Sequence, residues 1–485
     1  MNTSSRGNPL DPQVRRVALV LIIGGLAPIF DTTIVSVALR TLAGQLHTPV
    51  ATIQWVSTVY LLALGVTIPL AGWAQGRFGG RRVWMSALVI FLAGSVASSL
   101  AWSAPSLIAF RAVQGIGGGL MAPLMSTLVI QAAGGKALGR AISVVSLPAS
   151  LGPVLGPVLG GVILDWLDWR WLFWVNVPFC VAGFLLAGKL LPAGTSSSRP
   201  RLDVVGFVLL SPGIAGILYG ISNASMSDGF ARTDVVAPAL TGAALLAVFA
   251  IYATRRGGRA LVDVRVFAHR AVASASVLLF LSGGALFGAM LLLPLYFQDV
   301  RGTGALGAGL LLVPQGIGAL LSRSLAGRLT DAIGAKWVTA AGFAITGAAT
   351  VPFALAVGTT SEWVLAGVLV LRGFGLGTVT TSLFTAAFVG LDRPEIPHAS
   401  IITRIALQIG GSFGVAILAV ILDSALASAA SSSPAATAFD QAFWWSIGFT
   451  ALAVMLSLAL PGRPRTTTSE PAAVHSPGGA DAKTR

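Results

Sequence analysis

Two charged side chains in this sequence stand where charge is expensive. Asp31 is the only acidic residue between Asp11 and Asp165, and it lies eight residues before the end of an apolar run over 17–39. Arg111 lies six residues after Pro105, inside a second apolar run over 105–131. If the first run crosses a membrane outward and the second inward, the two charges lie ~12 and ~9 Å from the same face, at ~1.5 Å per helical residue. A lone charge at that depth costs several kcal/mol, so each should meet a partner or a wet cavity. A carboxyl group in a low-dielectric site prefers to hold its proton, and a nearby guanidinium favours the carboxylate. Moving the arginine, or admitting a cationic ligand, would then release or bind the proton. Asp31 and Arg111 are therefore the candidate proton-coupling pair; a fixed structural bridge is the alternative. Arg372 holds a comparable place in the second half of the chain without an acidic residue at similar depth, and reads as structural or as lining a pathway. Asp299 and Asp423 fall near outer span ends, as solvated caps.

The element that would have to move around this pair is marked by glycine and proline. Gly152, Gly156 and Gly160 recur every four residues and share one helix face. Pro148 extends that stripe, and Ala149, Pro153, Pro157 and Gly161 form a second one beside it. The surface is nearly free of side chains, and its prolines remove backbone donors and invite a bend. Such a helix can press its backbone on a neighbour and flex there.

Composition sets the class. Of 485 residues 55% are hydrophobic and only 10% charged, against roughly 25% charged in a soluble domain, so the chain is an all-α integral membrane protein. Apolar runs near 17–39, 51–74, 83–104, 105–131, 141–164, 171–190, 204–222, 235–254, 271–297, 304–322, 337–358, 361–388, 401–422 and 440–461 each approach the ~20 residues needed to cross. That makes about fourteen transmembrane helices. Counting gaps alternately from an inside N-terminus assigns 24 Lys and Arg to inner gaps and four to outer ones, which predicts cytoplasmic N- and C-termini in a multi-pass protein of the cytoplasmic (inner) membrane. The formal charge of +14 is thus spread over loops and gives no basic face for nucleic acid. One cysteine, Cys180, excludes an internal disulfide, and the four histidines show no metal-ligand spacing. No GxxxxGK[ST] loop is present and no cluster of nucleophile, acid or metal ligands, so neither ATP drive nor an enzyme is expected. The expectation is no cofactor, with a proton gradient as the driving force.

Two patterns repeat. Ala71-Gly72 through Gly79-Gly80-Arg81 returns as Ala326-Gly327 through Gly334-Ala335-Lys336, and Arg111 to Gly117 returns as Arg372 to Gly377, at offsets of 255 and 261 residues. Spans 1–6 then correspond to spans 9–14, with two helices inserted between, a layout of secondary transporters with the substrate path between halves. The boundaries read as a tail over 1–15, a six-helix half over 16–191, the inserted pair over 203–255, a second half over 271–461, and a polar, disordered tail over 462–485.

At this point the chain resembles the fourteen-helix drug:proton antiporter branch of the major facilitator superfamily. The resemblance rests on Phe30-Asp31-Thr32-Thr33-Ile34 through Leu39, Gln54-Trp55-Val56 with Tyr60-Leu61-Leu62, Arg111 with Gln114-Gly115, Gly152-Pro153 through Gly160-Gly161, and Trp169-Arg170-Trp171 through Pro178. It implies proton coupling at Asp31 and Arg111, and export rather than import from the Gly-Pro run. Two departures stand out. The loop between spans 2 and 3, with Arg77 and Arg81, has Gly76 where the family places an Asp, whereas the second copy keeps Asp331 with Lys336; these are the candidate gating loops. In span 13 Leu407 precedes Gln408 where an Arg is usual, and Arg404 lies one turn earlier on the same face.

The expected function is proton-driven export of amphiphilic, cationic drugs or toxic compounds; a dedicated exporter of an endogenous metabolite or self-made antibiotic is the alternative. The pocket should lie between the halves, large and mostly apolar, with Phe30, Trp55, Tyr60, Gln114, Met121, Met125, Met290, Tyr296, Gln298 and Gln315 as candidates, since aromatic faces attract organic cations and methionine adapts to varied shapes. The expected partners are a small-molecule substrate, protons and the lipid bilayer. The chain is expected to act as a monomer, with a periplasmic adaptor left open.

Overall fold

The structure is a computed structural model that describes residues 11–134, 144, 147–192, 200–226, 232–355, 360–392, 394–429 and 435–460. The two tails, Lys136 and Arg140 lie outside the described residues. All regular structure among those described is helical. The long helices are α1 (Pro12–Gln45), α2 (Val50–Thr67), α3 (Gly80–Ser99), α4 (Ala104–Ala133), α5 (Leu147–Trp166), α6 (Asn176–Leu190), α7 (Val204–Met226), α8 (Thr233–Arg256), α9 (Arg270–Leu295), α10 (Val313–Ile333), α11 (Ala335–Ala354), α12 (Glu362–Ala387), α13 (Ile396–Ala429) and α14 (Ala435–Ser457). A short helix, Leu70–Phe78, continues α2 after a 54° bend at Ile68 and Pro69. Another, Ala305–Leu311, precedes α10.

Local chemistry starts these helices. Asp11 accepts from the Gln13 N–H at the head of α1, where Pro12 needs no donor. Ser103 and Ser106 form a reciprocal cap on α4. Among the described residues eleven helices, or twelve counting the bent α2 pair as one, are long and apolar enough to cross a membrane. With 20 and 23 residues, α5 and α14 supply the other two crossings.

The repeat is visible in the packing. In the first half α1 packs on α5 and α6, and α4 on α2 and α3; in the second, α9 packs on α13 and α14, and α12 on α10 and α11. The loops that match in sequence match in backbone: Gly79 and Gly334, 255 residues apart, have φ of 84° and 91°, a region glycine enters without strain. The inserted pair α7 and α8 pack on each other, and α7 rests on both α2 and α13. The halves meet where α5 touches α10 and the Ala305–Leu311 helix, and where α13 touches α4 and the Leu70–Phe78 helix. Of α4's apolar stretch 72% is buried, against 17% of α8's. The helix carrying Arg111 is therefore central and the inserted α8 faces outward.

Candidate transport site

Asp31 is fully buried, and four helices converge on it. Its Oδ2 accepts from Arg111 Nη1 of α4 at 2.5 Å. Its Oδ1 accepts from Gln114 Nε2 at 2.9 Å and from Asn176 Nδ2 of α6 at 3.2 Å. Arg111 also donates from Nη1 to Gln114 Oε1 at 2.8 Å and from Nε to the Val56 carbonyl of α2 at 3.2 Å. Its guanidinium carbon lies 4.1 Å from the centre of the Tyr60 ring. Asn176 donates a second time, to Ser95 Oγ of α3, and Ser95 donates to the Phe173 carbonyl. The fixed guanidinium fork lets one arginine hold a carboxylate, an amide and a carbonyl together. The charge is neutralised where water is scarce, as a buried pair requires.

The glycine stripe of α5 lies against the same stretch of α1. A Cβ on Gly156 would sit 2.5 Å from Thr33 Cβ and overlap Thr33 Oγ1; one on Gly152 would overlap Ile29. Thr33 Oγ1 donates to the Gly152 carbonyl at 3.0 Å. Gly161 turns to the other half, where a Cβ would meet Leu306 at 3.2 Å. Pro153 and Pro157 continue the helix in backbone; their side chains lie outside the described residues.

A cavity of about 250 Å³ opens between the halves, lined mostly by apolar residues from α1, α2, α4, α9, α10, α12 and α13. From α1 it takes Pro28, Ile29, Thr32 and Thr33. Asp31 falls on the other side of that helix, at ~100° per residue. Of the residues expected in a pocket, Met125, Met290 and Gln315 line this one. The others do not, and the reason is packing: large rings find apolar or cationic neighbours inside the protein. Phe30 stacks on Phe179 at 5.6 Å and Trp55 on Tyr219 at 5.6 Å. Tyr60 and Gln114 belong to the Asp31 cluster, and Met121 is buried in the core. Tyr296 lies among Phe297, Phe353, Phe439 and Phe443, with centroids 5.6 to 6.0 Å apart, and Gln298 is half-buried in the turn that follows α9.

Three residues join these sites without having stood out in the sequence. Asn176 and Ser95 complete the Asp31 cluster; an Asn and a Ser inside apolar runs are the signal that points to them. Arg323 reads in sequence as a loop charge, yet it is buried and lines the cavity with Arg404. In the second half Arg372 is buried and donates to Gln315 Oε1, Thr350 Oγ1 and the Ala285 carbonyl at 3.1 to 3.2 Å, all neutral acceptors. At the loops, Arg81 donates to the Gly188 carbonyl. Arg77 closes the Leu70–Phe78 helix. A Cβ on Gly76 would meet Pro200 Cγ at 3.3 Å, and Trp73 Nε1 donates to the Pro200 carbonyl at 3.2 Å, so Pro200 packs beside the position where the family places an Asp. Asp331 is exposed near the end of α10, and Lys336 lies over Trp337.

A model of the Major Facilitator Superfamily matches residues 21–415. The chain belongs to that superfamily. It is 36% identical over 415 residues to the multidrug resistance protein B homolog of Mycobacterium tuberculosis, covering 85% of this chain and 77% of that one. It is 29% identical over 464 residues to the putative multidrug resistance protein MdtD of Serratia proteamaculans, covering 95% of each. The fold matches the proton:xylose symporter XylE bound to 6-bromo-6-deoxy-D-glucose, with a TM-score of 0.60 at 16% identity, over 94% of this chain and 97% of that one. This member of the superfamily is therefore a multi-pass membrane transporter rather than an enzyme, with two six-helix halves and two inserted helices, and it resembles the drug:proton antiporter branch.

Proposed function

We propose that this transporter exports amphiphilic small molecules from the cytoplasm in exchange for protons, with both termini cytoplasmic. The observation that supports this reading most is the buried Asp31, held by Arg111, Gln114 and Asn176 on one side of α1 while the cavity occupies the other. A proton and a substrate would then communicate through α1 and need not compete for one carboxylate. Protonation of Asp31 would cancel its charge and loosen its hold on Arg111, and α1 would shift against the glycine face of α5, changing the side to which the cavity opens. No cofactor enters the scheme; Arg81 and the Pro200 linker would bear on the inner gate.

The test is Asp31→Asn in inverted vesicles, with a panel of dyes, quaternary ammonium compounds and antibiotics as candidate substrates. Substrate-induced proton release should vanish while the protein still inserts at normal levels. Proton release at the wild-type rate in that variant would sink the assignment.

A further inference from the structure

The cavity wall carries charge of one sign. Its two ionisable side chains are Arg323 of α10 and Arg404 of α13, and no carboxylate lines it among the described residues. Arg404 is eight residues past the start of α13 and Arg323 ten before the end of α10, so both lie roughly 12–15 Å in from the same end of the bundle. Arg404 donates from Nη2 to Ser126 Oγ of α4 at 3.1 Å, and its guanidinium lies 4.7 Å from the centre of the Phe384 ring. Its Nε has no hydrogen-bond partner among the described residues. Behind the wall Arg372 adds a third positive charge, satisfied by neutral oxygens, one of them on the cavity-lining Gln315. The sequences of α11 and α13 up to Leu422 contain no acid, and α10 has none before Asp331. Asp31 cannot compensate, because it faces the other way and is already engaged.

Taking proton-coupled export as its basis, we propose that the transported molecule is an amphiphilic organic anion, its carboxylate or sulfonate seated between Arg323 and Arg404 and its apolar body along α1, α9 and α12. Guanidinium forks match carboxylate and sulfonate oxygens in charge and geometry. Charge of one sign gathered at this depth is costly, and an anion relieves it where a cation would add to it. The cationic preference expected from aromatic faces is weakened here: the tyrosines and Trp55 do not reach the cavity, Arg404 already covers Phe384, and Phe287 is the one other ring in the wall among the described residues. Because Arg404 also ties α13 to α4 through Ser126, an anion drawing on that guanidinium would act directly on a contact between the halves.

The experiment uses a matched pair, naphthalene-2-sulfonate and 2-naphthyltrimethylammonium, titrated calorimetrically into the full chain in phosphatidylcholine nanodiscs, with empty discs as blanks. The sulfonate should bind about tenfold tighter or better. Arg404→Gln and Arg323→Gln should each weaken it about tenfold, and Arg404→Lys, which keeps the charge but not the fork, should lose less than Arg404→Gln in an equally monodisperse sample. Tighter binding of the ammonium, or sulfonate affinity unchanged in both Gln variants, would overturn the proposal. No proton gradient is present, so the outcome is separable from the export reading. Sulfonate binding with normal coupling in Asp31→Asn refutes export by that mechanism alone. Ammonium binding with coupling lost in Asp31→Asn refutes the anion alone.

Discussion

At the scale of single residues, Asp31 illustrates how a membrane interior holds a carboxylate: three side-chain donors from two helices surround it, and one of them, Asn176, is itself shared with Ser95. Removing one donor leaves its partner unsatisfied in a fully buried site, which costs about 1–3 kcal/mol. Asn176→Ala should therefore lower the melting temperature of the purified protein. Asn176→Asp, although nearly isosteric, should do so more at neutral pH, because two carboxyl groups about 3 Å apart cannot both ionise. Equal melting temperatures for wild type and both variants would show that Asn176 does not hold the carboxylate. A residue on the other side of the molecule follows ordinary acid linkage. Glu395, in the turn before α13, accepts from the Asp392 N–H at 2.9 Å and pairs with His269 at 3.1 Å. The backbone donor, aided by His269, holds its carboxyl below the usual value of 4.5. The stability it contributes is present above that value and is lost as pH falls through the lowered one. Glu395→Gln should thus destabilise at pH 7 and become neutral in strong acid, read by tryptophan fluorescence melts across that range.

At the scale of elements, α1 is the part that belongs to both the Asp31 cluster and the cavity wall. It carries Asp31 toward α4 and α6 and presents Thr32 and Thr33 to the cavity, and it lies on α5 by a glycine face that leaves no room for a methyl group. Gly156→Ala places a Cβ 2.5 Å from Thr33 Cβ, which forces the helices apart. Coupled transport in vesicles should fall steeply, while Thr33→Ala in the same chain relieves the clash with Oγ1 and restores part of it. Wild-type transport by Gly156→Ala alone would show that the α1–α5 seam does not have to stay closed. The second half has a counterpart that no proline announces: α9 and α13 meet through Gly284 and Gly414, whose backbones approach so closely that a Cβ on Gly414 lies 2.6 Å from the Gly284 carbonyl oxygen. The inserted helix α7 bridges the halves through α2 and α13. Trp73 of the Leu70–Phe78 helix donates to the Pro200 carbonyl ahead of α7, and Asp203 is buried under the Tyr252 hydroxyl and the Leu261 N–H.

For the molecule as a whole, what can be read from sequence depends on how each signal is encoded. Span number and repeat offsets live in hydropathy and glycine spacing, which one chain displays openly, and fourteen crossings in two halves follow from them. Depth along a helix is also legible, which is why Asp31 and Arg111 can be matched. The direction a side chain points is not: chemistry nominates Tyr60, Gln114 and Tyr296 for the cavity, and packing turns them away from it. Arg323 escapes notice because a span end and a cavity wall look alike when a charge lies near the last apolar turn. If the cargo is the anion proposed above, that one residue alters the charge balance of the transport cycle. On the proposed scheme, with Asp31 as the proton site, one proton would enter per turn. A cation leaving would make the exchange electroneutral, whereas an anion leaving moves two positive charges inward in effect. Each charge is worth about 2.3 kcal/mol per 100 mV, so the potential alone would supply about 4.6 kcal/mol per 100 mV to anion export. The check is made in proteoliposomes clamped by potassium and valinomycin, with pH equal on both sides. Naphthalene-2-sulfonate, loaded on the cytoplasmic face of the transporter, should leave faster as that compartment is made negative. Efflux indifferent to the clamp would mean that charge does not cross with this stoichiometry, and the single-proton anion cycle would have to be given up.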